Sequence, residues 1–330
     1  MISAGDLESL TVWTGQCQQP LLLSHERPDG DSLGALAATA LVLGRRGARP
    51  AAALYGPLPA TYGFLATATT WHNWDQVRDV LLPECDAVII LDTCALSQLE
   101  PVAAFLARAP RMLVIDHHAT RDPIALRAGD LRVFDDTASA TCLMLAEWLR
   151  WTGLAFDQAL ATALLVGIAT DTGWFRFSNT DARTLRTAAE LVEAGADPNG
   201  LYDALYQRDP PARLALLTRA LASLELKADG KLAVMYLRRS DFEATGADSS
   251  MTENLVNEAG RLASTEAALL FVEEPDQTVR VNFRSKRRLD VAALAHRFGG
   301  GGHTRAAGAR LRGTWQQIVP RVIAETIEAL

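Results

Sequence analysis

At 330 residues the chain is long enough for about two domains of roughly 150 residues each. Its 49% apolar and 22% charged residues are the balance of a folded globular protein, which excludes a disordered or collagen-like chain. The net charge of −7 is unevenly spread: residues 1–210 hold 15 Lys and Arg against 25 Asp and Glu, and residues 211–330 hold 17 against 14.

An acidic part beside a mildly basic one fits a metal-binding domain joined to an anion-binding domain, although incidental surface charge gives the same numbers. No apolar run approaches the ~20 residues of a membrane helix, so no membrane association is expected. The start, Met1 to Leu10, carries Asp6 and Glu8 without a basic end, and no secretory signal is expected there. The four cysteines (Cys17, Cys85, Cys94, Cys142) form no C-x-x-C pair, which points to reduced thiols and a cytoplasmic protein.

Strands are expected at Leu21–Ser24, Ala51–Tyr55, Ala87–Leu91, Met112–Ile115 and Leu131–Phe134. Helical spacing separates them at Gly34–Leu43, Asp75–Leu82 and Ser97–Arg108. Strands alternating with helical crossovers predict a doubly wound, mainly parallel five-stranded α/β sheet. Helices follow at Ala138–Trp151, Phe156–Thr170 and Asp181–Ala194. Residues 1–195 thus form the expected first domain. Residues 196–212, rich in Pro and Asp, read as a linker containing a short helix and permitting domain opening.

Residues 213–330 read as a smaller α+β domain, with a cleft between the two domains. Its strands are expected at Lys231–Leu237, Ala267–Val272, Thr278–Phe283 and Ala306–Leu311, and its helices at Met251–Leu262, Val291–Phe298 and Thr314–Leu330.

The first strand runs into His25-Glu26-Arg27-Pro28-Asp29-Gly30-Asp31. In an open α/β sheet, loops at the carboxyl ends of strands bind ligands. One His and two Asp within seven residues suit a divalent ion of intermediate hardness such as Mn²⁺. The same string also reads as a polar turn, with Gly30 easing it, that caps the next helix. Other apolar elements end alike: Asp92-Thr93, Asp116-His117-His118 and Asp171-Thr172-Gly173. Each aspartate alone reads as a cap or turn residue. Three of the six histidines also fall in this set, and so many carboxylates and imidazoles on one sheet edge would repel one another without cations.

These four blocks, in this order, resemble the DHH phosphoesterase superfamily. In the second domain, Asn282-Phe283-Arg284-Ser285-Lys286 and the Gly299–His303 run followed by Ala306-Ala307-Gly308 resemble the DHH-associated domain. The two-domain layout is most similar to bifunctional oligoribonuclease and phosphoadenosine-phosphate phosphatases. The resemblance implies two Mn²⁺ ions per chain, with Mg²⁺ or Co²⁺ as substitutes. His25, Asp29 and Asp92 would hold one ion; Asp31, Asp92, His117 and Asp171 would hold the other, with Asp92 bridging.

Asp116 is expected to orient a neighbouring ligand. His118 would donate to a phosphoryl oxygen as charge builds. Arg284, Ser285, Gly301, Gly302 and His303 are expected to bind substrate: Arg284 as a fork on phosphate, the glycines as exposed backbone donors, His303 on phosphate or base. Ser139 and Thr141, at the expected start of the next helix, either contribute hydroxyls to the site or cap that helix, with the cap preferred; Trp174 and Phe175 are placed to wall the cleft. The implied partners are short RNA or DNA oligonucleotides or small nucleotides, and resemblance and base rate point to a homodimer. A cyclic-dinucleotide phosphodiesterase fits the same metal ligands; a non-catalytic nucleotide sensor is the reading from a different class.

Overall fold

The computed structural model describes residues 2–330 apart from 82, 83, 120 and 276, and all their side chains but those of Leu81 and His303. Two units divide the chain, residues 1–208 and 209–330. In the first, short and mostly apolar runs form strands β1 (Pro20–Leu23), β2 (Ala51–Leu54), β4 (Ala87–Leu91), β5 (Met112–Asp116) and β6 (Leu131–Phe134), and Trp71–Asn73 forms β3. They pair in parallel in the order β3-β2-β1-β4-β5-β6. The sheet has six strands, not the expected five. The additional one, β3, is a three-residue edge strand, too short to show a period.

Helices of this unit are α1 (Ala4–Gly15), α2 (Gly30–Arg45), α3 (Trp74–Leu81), α4 (Ala103–Leu106), α5 (Thr141–Trp151), α6 (Gln158–Asp171), α7 (Ala182–Glu193) and α8 (Pro198–Tyr206). Strand residues alternate between two cores, as the pleat requires. Leu22, Ile89, Leu113 and Ile115 pack against α2, α5 and α6. Leu21, Leu23, Val88, Ile90 and Val114 face the opposite core with Phe105 and Leu106 of α4. Both faces are covered, which explains why β1, β4 and β5 are apolar throughout.

The single helix expected over Ser97–Arg108 is broken into two 3₁₀ turns (Leu96–Gln98 and Glu100–Val102) and α4. Pro101, which lacks an N–H and clashes with the preceding turn, prevents a continuous helix. Within the expected linker, α8 buries Leu201 and Ala204, and Leu201 joins the core of the first unit.

The second unit contains α9 (Pro211–Ala222), β7 (Glu225–Lys227), β8 (Leu232–Leu237), α10 (Arg239–Thr245), α11 (Val256–Ala259), β9 (Ala267–Glu273), β10 (Thr278–Ser285), α12 (Val291–His296), β11 (Gly301–His303), β12 (Ala306–Arg312) and α13 (Trp315–Glu328). Its sheet order is β11-β12-β10-β9-β8-β7, antiparallel except between β8 and β9. The helix expected over Met251–Leu262 is interrupted because Asn254 adopts a left-handed backbone, φ 61°. No helix among the described residues is long and apolar enough to cross a membrane.

Candidate metal centre

β1 and β4 are neighbours at the point where the strand order of the first sheet reverses. The loops leaving adjacent strands there diverge to opposite faces, opening a crevice at their carboxyl ends. The loop after β1 brings His25 and Asp29. Asp29 caps α2, its Oδ1 accepting from the N–H of Asp31 (3.0 Å) and of Ser32 (3.1 Å), so Asp31 is fixed in the first helical turn. β4 delivers Asp92 in a left-handed conformation, φ 63°, a strained state that clusters at functional sites. β5 ends on Asp116 and is followed by His117 and His118, while α6 contributes Asp171 as its last residue.

Gly30 is not the turn residue expected from its neighbours but the first residue of α2. A Cβ at that position would lie 2.3 Å from Thr170 Oγ1. Its absence lets the start of α2 approach the end of α6, which joins Asp31 to Asp171.

Three sets of donor atoms lie within 4.8 Å of one another: His25, Asp29 and Asp92; Asp31, His117 and Asp171; and Asp92, His117 and His118. His117 Nε2 stands 3.4 Å from Asp171 Oδ2, 3.6 Å from Asp92 Oδ1 and 3.9 Å from Asp31 Oδ2. His25 Nε2 lies 3.7 Å from Asp92 Oδ2. Asp92 therefore belongs to both sides of the cluster.

The surrounding residues fix these groups. His117 Nδ1 donates to Ala138 O at 3.1 Å, which sets Nε2 as the nitrogen facing the carboxylates. Asp116, fully buried, accepts from the His118 backbone N–H and from its Nδ1 at 2.7 Å. Ser139 and Thr141 do not cap α5: the helix has no side-chain cap of its own. Instead Asp31 accepts the N–H groups of Thr141 (2.6 Å) and Cys142 (2.9 Å) at that helix start. Thr141 Oγ1 donates to Asp92 Oδ1, and Ser32 Oγ to Asp92 Oδ2. Sequence reasoning misses Ser32; a hydroxyl directly after a candidate ligand is the available signal.

Asn179, also not anticipated, donates to the backbone carbonyls of both Ser139 and Asp171. Trp174 and Phe175 follow Asp171 through a left-handed turn, with Trp174 edge-on to Tyr202 and Tyr206 of α8.

Electrostatically the cluster is frustrated. Burial and the charges of Asp92 and Asp29 push Asp171 up to about 8. Burial and the charges of Asp92, Asp171 and Asp29 raise Asp31 well above the ordinary carboxylate range. Burial opposes protonation of His118, but its bond to Asp116 and the surrounding carboxylates push it up to about 9. Among the described residues, the Nε2 of His117 is buried without a hydrogen-bond partner. An unpartnered imidazole nitrogen aimed at crowded carboxylates is the donor set of a divalent cation, which supplies the charge that these groups lack.

In the second unit, Arg280, Asn282 and Arg284 share one face of β10, while Val279, Val281 and Phe283 enter the core. The three polar residues line a cavity of about 350 Å³ together with Asn254. Arg284 Nε donates to Asn257 Oδ1 at 2.7 Å, and Ser285 Oγ accepts from Arg305. Gly301, Gly302 and the His303 backbone form β11, hydrogen-bonded to β12. At Gly302, φ is 143° and a Cβ would lie 2.5 Å from Ala306 O, so glycine is required by the hairpin itself. The His303 side chain lies outside the described atoms.

The fold and the site define a two-unit α/β protein whose first sheet carries a carboxylate–imidazole centre for divalent metals. The DHH family N-terminal domain matches residues 21–168, and the DHHA1 domain matches residues 229–330. The bifunctional oligoribonuclease and PAP phosphatase NrnA of Thermus thermophilus is 30% identical over 314 residues, covering 94% of this chain and 89% of that protein. Its namesake from Bacillus subtilis is 28% identical over 308 residues, covering 92% of each. The chain belongs to the DHH family and carries a DHHA1 domain. An exopolyphosphatase-related protein of Bacteroides fragilis shares the fold, with a TM-score of 0.92 at 21% identity over 99% of this chain and 97% of that one.

Proposed function

We propose that this chain is a phosphoesterase that hydrolyses short oligonucleotides, linear dinucleotides among them, and 3′-phosphoadenosine 5′-phosphate (PAP). The names of its relatives, across nearly their whole lengths, support that substrate class. The observation that carries the reading is the buried, unpartnered Nε2 of His117 among three carboxylates. Two Mn²⁺ ions, for which Mg²⁺ or Co²⁺ substitutes, would be held by His25, Asp29 and Asp92 and by Asp31, Asp92, His117 and Asp171. A cytoplasmic location accords with the four free cysteines.

Divalent ions held by these residues would lower the pKa of water, so that hydroxide is available near neutral pH, and would offset charge on the phosphoryl group. His118, oriented by its Nδ1 contact with Asp116, would donate to a phosphoryl oxygen as negative charge builds there. The water oxygen bonds to phosphorus as the bond to the leaving ribose oxygen breaks, and the proton that the water gives up is balanced by the one that the ribose oxygen gains. Arg284, Ser285, Gly301, Gly302 and His303 of the second unit take the substrate's phosphate and base. Arg284 suits a phosphate because its planar fork gives two parallel hydrogen bonds.

The test is product release by the Mn²⁺-loaded protein from PAP, a linear diadenylate, a cyclic diadenylate and pyrophosphate. Turnover of the first two is expected, with Asp92→Asn lowering kcat by about 10³-fold, the equivalent of several kcal/mol. Turnover of the cyclic substrate alone would replace the proposal with a cyclic-dinucleotide phosphodiesterase. Nucleotide binding without any turnover would replace it with a sensor.

A further inference from the structure

Asp92 is held at both oxygens by hydroxyls that come from different helices. Thr141, the first residue of α5, is fully buried and donates from Oγ1 to Asp92 Oδ1 at 3.1 Å. Ser32 of α2 is also fully buried and donates from Oγ to Asp92 Oδ2 at 2.7 Å.

Each residue also touches a second member of the cluster, and a different one. Thr141 N–H lies 2.6 Å from Asp31 Oδ2, so Thr141 joins Asp92 to the group of Asp31, His117 and Asp171. Ser32 Oγ lies 2.5 Å from His25 Nε2, so Ser32 joins Asp92 to the group of His25 and Asp29. A carboxylate oxygen has two lone pairs. One hydroxyl on each oxygen leaves one lone pair on each for a cation. The backbone that carries this side chain is itself left-handed, φ 63°.

We infer that Thr141 and Ser32 are positioning residues that present Asp92 as the carboxylate shared by both metals, one hydroxyl governing each oxygen. The inference rests on the two-metal reading above. It goes further in assigning the sharing to two neutral side chains, the hydroxyls of Thr141 and Ser32.

Mn²⁺ titration by calorimetry, with the electron paramagnetic resonance of the loaded protein, tests it on wild type, Thr141→Val and Thr141→Ser. Valine keeps the shape and removes the hydroxyl; serine keeps the hydroxyl and removes the methyl. Wild type is expected to bind two Mn²⁺ with a spin-coupled signal. Thr141→Val should bind at least one of them about 10- to 100-fold more weakly and lose the coupled signal, while Thr141→Ser stays within about threefold of wild type. The kcat of Thr141→Val should fall with little change in KM.

Unchanged Mn²⁺ binding and coupling in Thr141→Val overturns the inference. So does equal damage in Thr141→Ser, which would make the contact one of packing. Should Thr141→Val fail to fold, Ser32→Ala puts the same question to the other oxygen, with the same expected loss and the same contrary result. Failure of wild type to bind Mn²⁺ would instead remove the metal reading itself.

Discussion

Thr141 holds Asp31 across a separation of 110 residues, its backbone N–H 2.6 Å from Asp31 Oδ2. The positive end of α5 thereby supports the charge of a site carboxylate, and that carboxylate replaces the missing cap of the helix. The start of α5 and the metal centre depend on each other for hydrogen bonds.

The acidic cluster should destabilise the first unit until cations enter. Asp171, at about 8 because of burial and the Asp92 and Asp29 charges, lies above its ordinary 3.8. An acid raised in this way loses stability for the fold as pH climbs from about 4 to about 8. In chelator at pH 8, Asp171→Asn is therefore expected to melt above wild type, and the two should converge near pH 4. Mn²⁺ at a hundred times its Kd should stabilise wild type by about 2.7 kcal/mol per site, and the variant by less. Differential scanning calorimetry with and without Mn²⁺ checks both; a variant that melts lower in chelator contradicts the account.

Gly167 of α6 packs against Asp31 and the start of α5. A Cβ there would lie 2.3 Å from Cys142 Sγ and 2.6 Å from Asp31 Oδ1. Gly167→Ala is expected to cost about 1–3 kcal/mol in urea unfolding and to weaken Mn²⁺ binding. A methyl group added at Gly44, in α2, would meet nothing within 4 Å, so Gly44→Ala should instead gain about 0.5–1 kcal/mol. Equal effects of the two substitutions would refute the packing argument.

Arg183 ties α7 to the loop that carries the His117 partner Ala138, pairing with Asp135 at 2.7 Å and with Glu147. Burial works against ionisation of Asp135, yet hydrogen bonds from Thr137 and Arg183 bring it down to about 2. Its folded value is below the ordinary 3.8, so its contribution is complete above about pH 4 and is lost as pH falls through about 2. The stability difference between wild type and Asp135→Asn should be flat from pH 7 to 5 and shrink below 4. Urea unfolding across that range gives the answer, and a difference that grows on acidification would be the wrong sign.

Arg284 should act through binding. Lysine at that position keeps a charge but cannot form the planar fork or the Nε bond to Asn257. Arg284→Lys is expected to raise KM by about 10- to 100-fold, the worth of a charged hydrogen bond, with kcat nearly unchanged. A fall in kcat at constant KM in steady-state kinetics would remove Arg284 from the substrate-binding role.

The legible parts of the fold are those where burial leaves a dense apolar run. β1, β4 and β5 are covered on both faces, and their polar ends stand out against that background. β3 carries no such contrast: Trp71, His72 and Asn73 are half-buried at a sheet edge. Helix α1 escapes a reading by apolar period, although Ser3 and Asp6 form a capping box at its start. The breaks at Pro101 and Asn254 are hidden by apolar spacing that continues through them. Within the site, Asp and His residues announce themselves by type and by place after a strand. Ser32 does not, and Thr141 reads equally as a cap, because a hydroxyl takes its meaning from Asp92, which lies 60 and 49 residues away in the chain. Gly30 stands out in the sequence for flexibility, whereas its use is the close approach of Thr170.

Anomalous scattering from a crystal soaked in Mn²⁺ tests the central claim most directly. The account expects two peaks per chain, one beside His25 and Asp29 and one beside Asp31, His117 and Asp171, with Asp92 reaching both. A single peak, or two peaks that do not share Asp92, would contradict it.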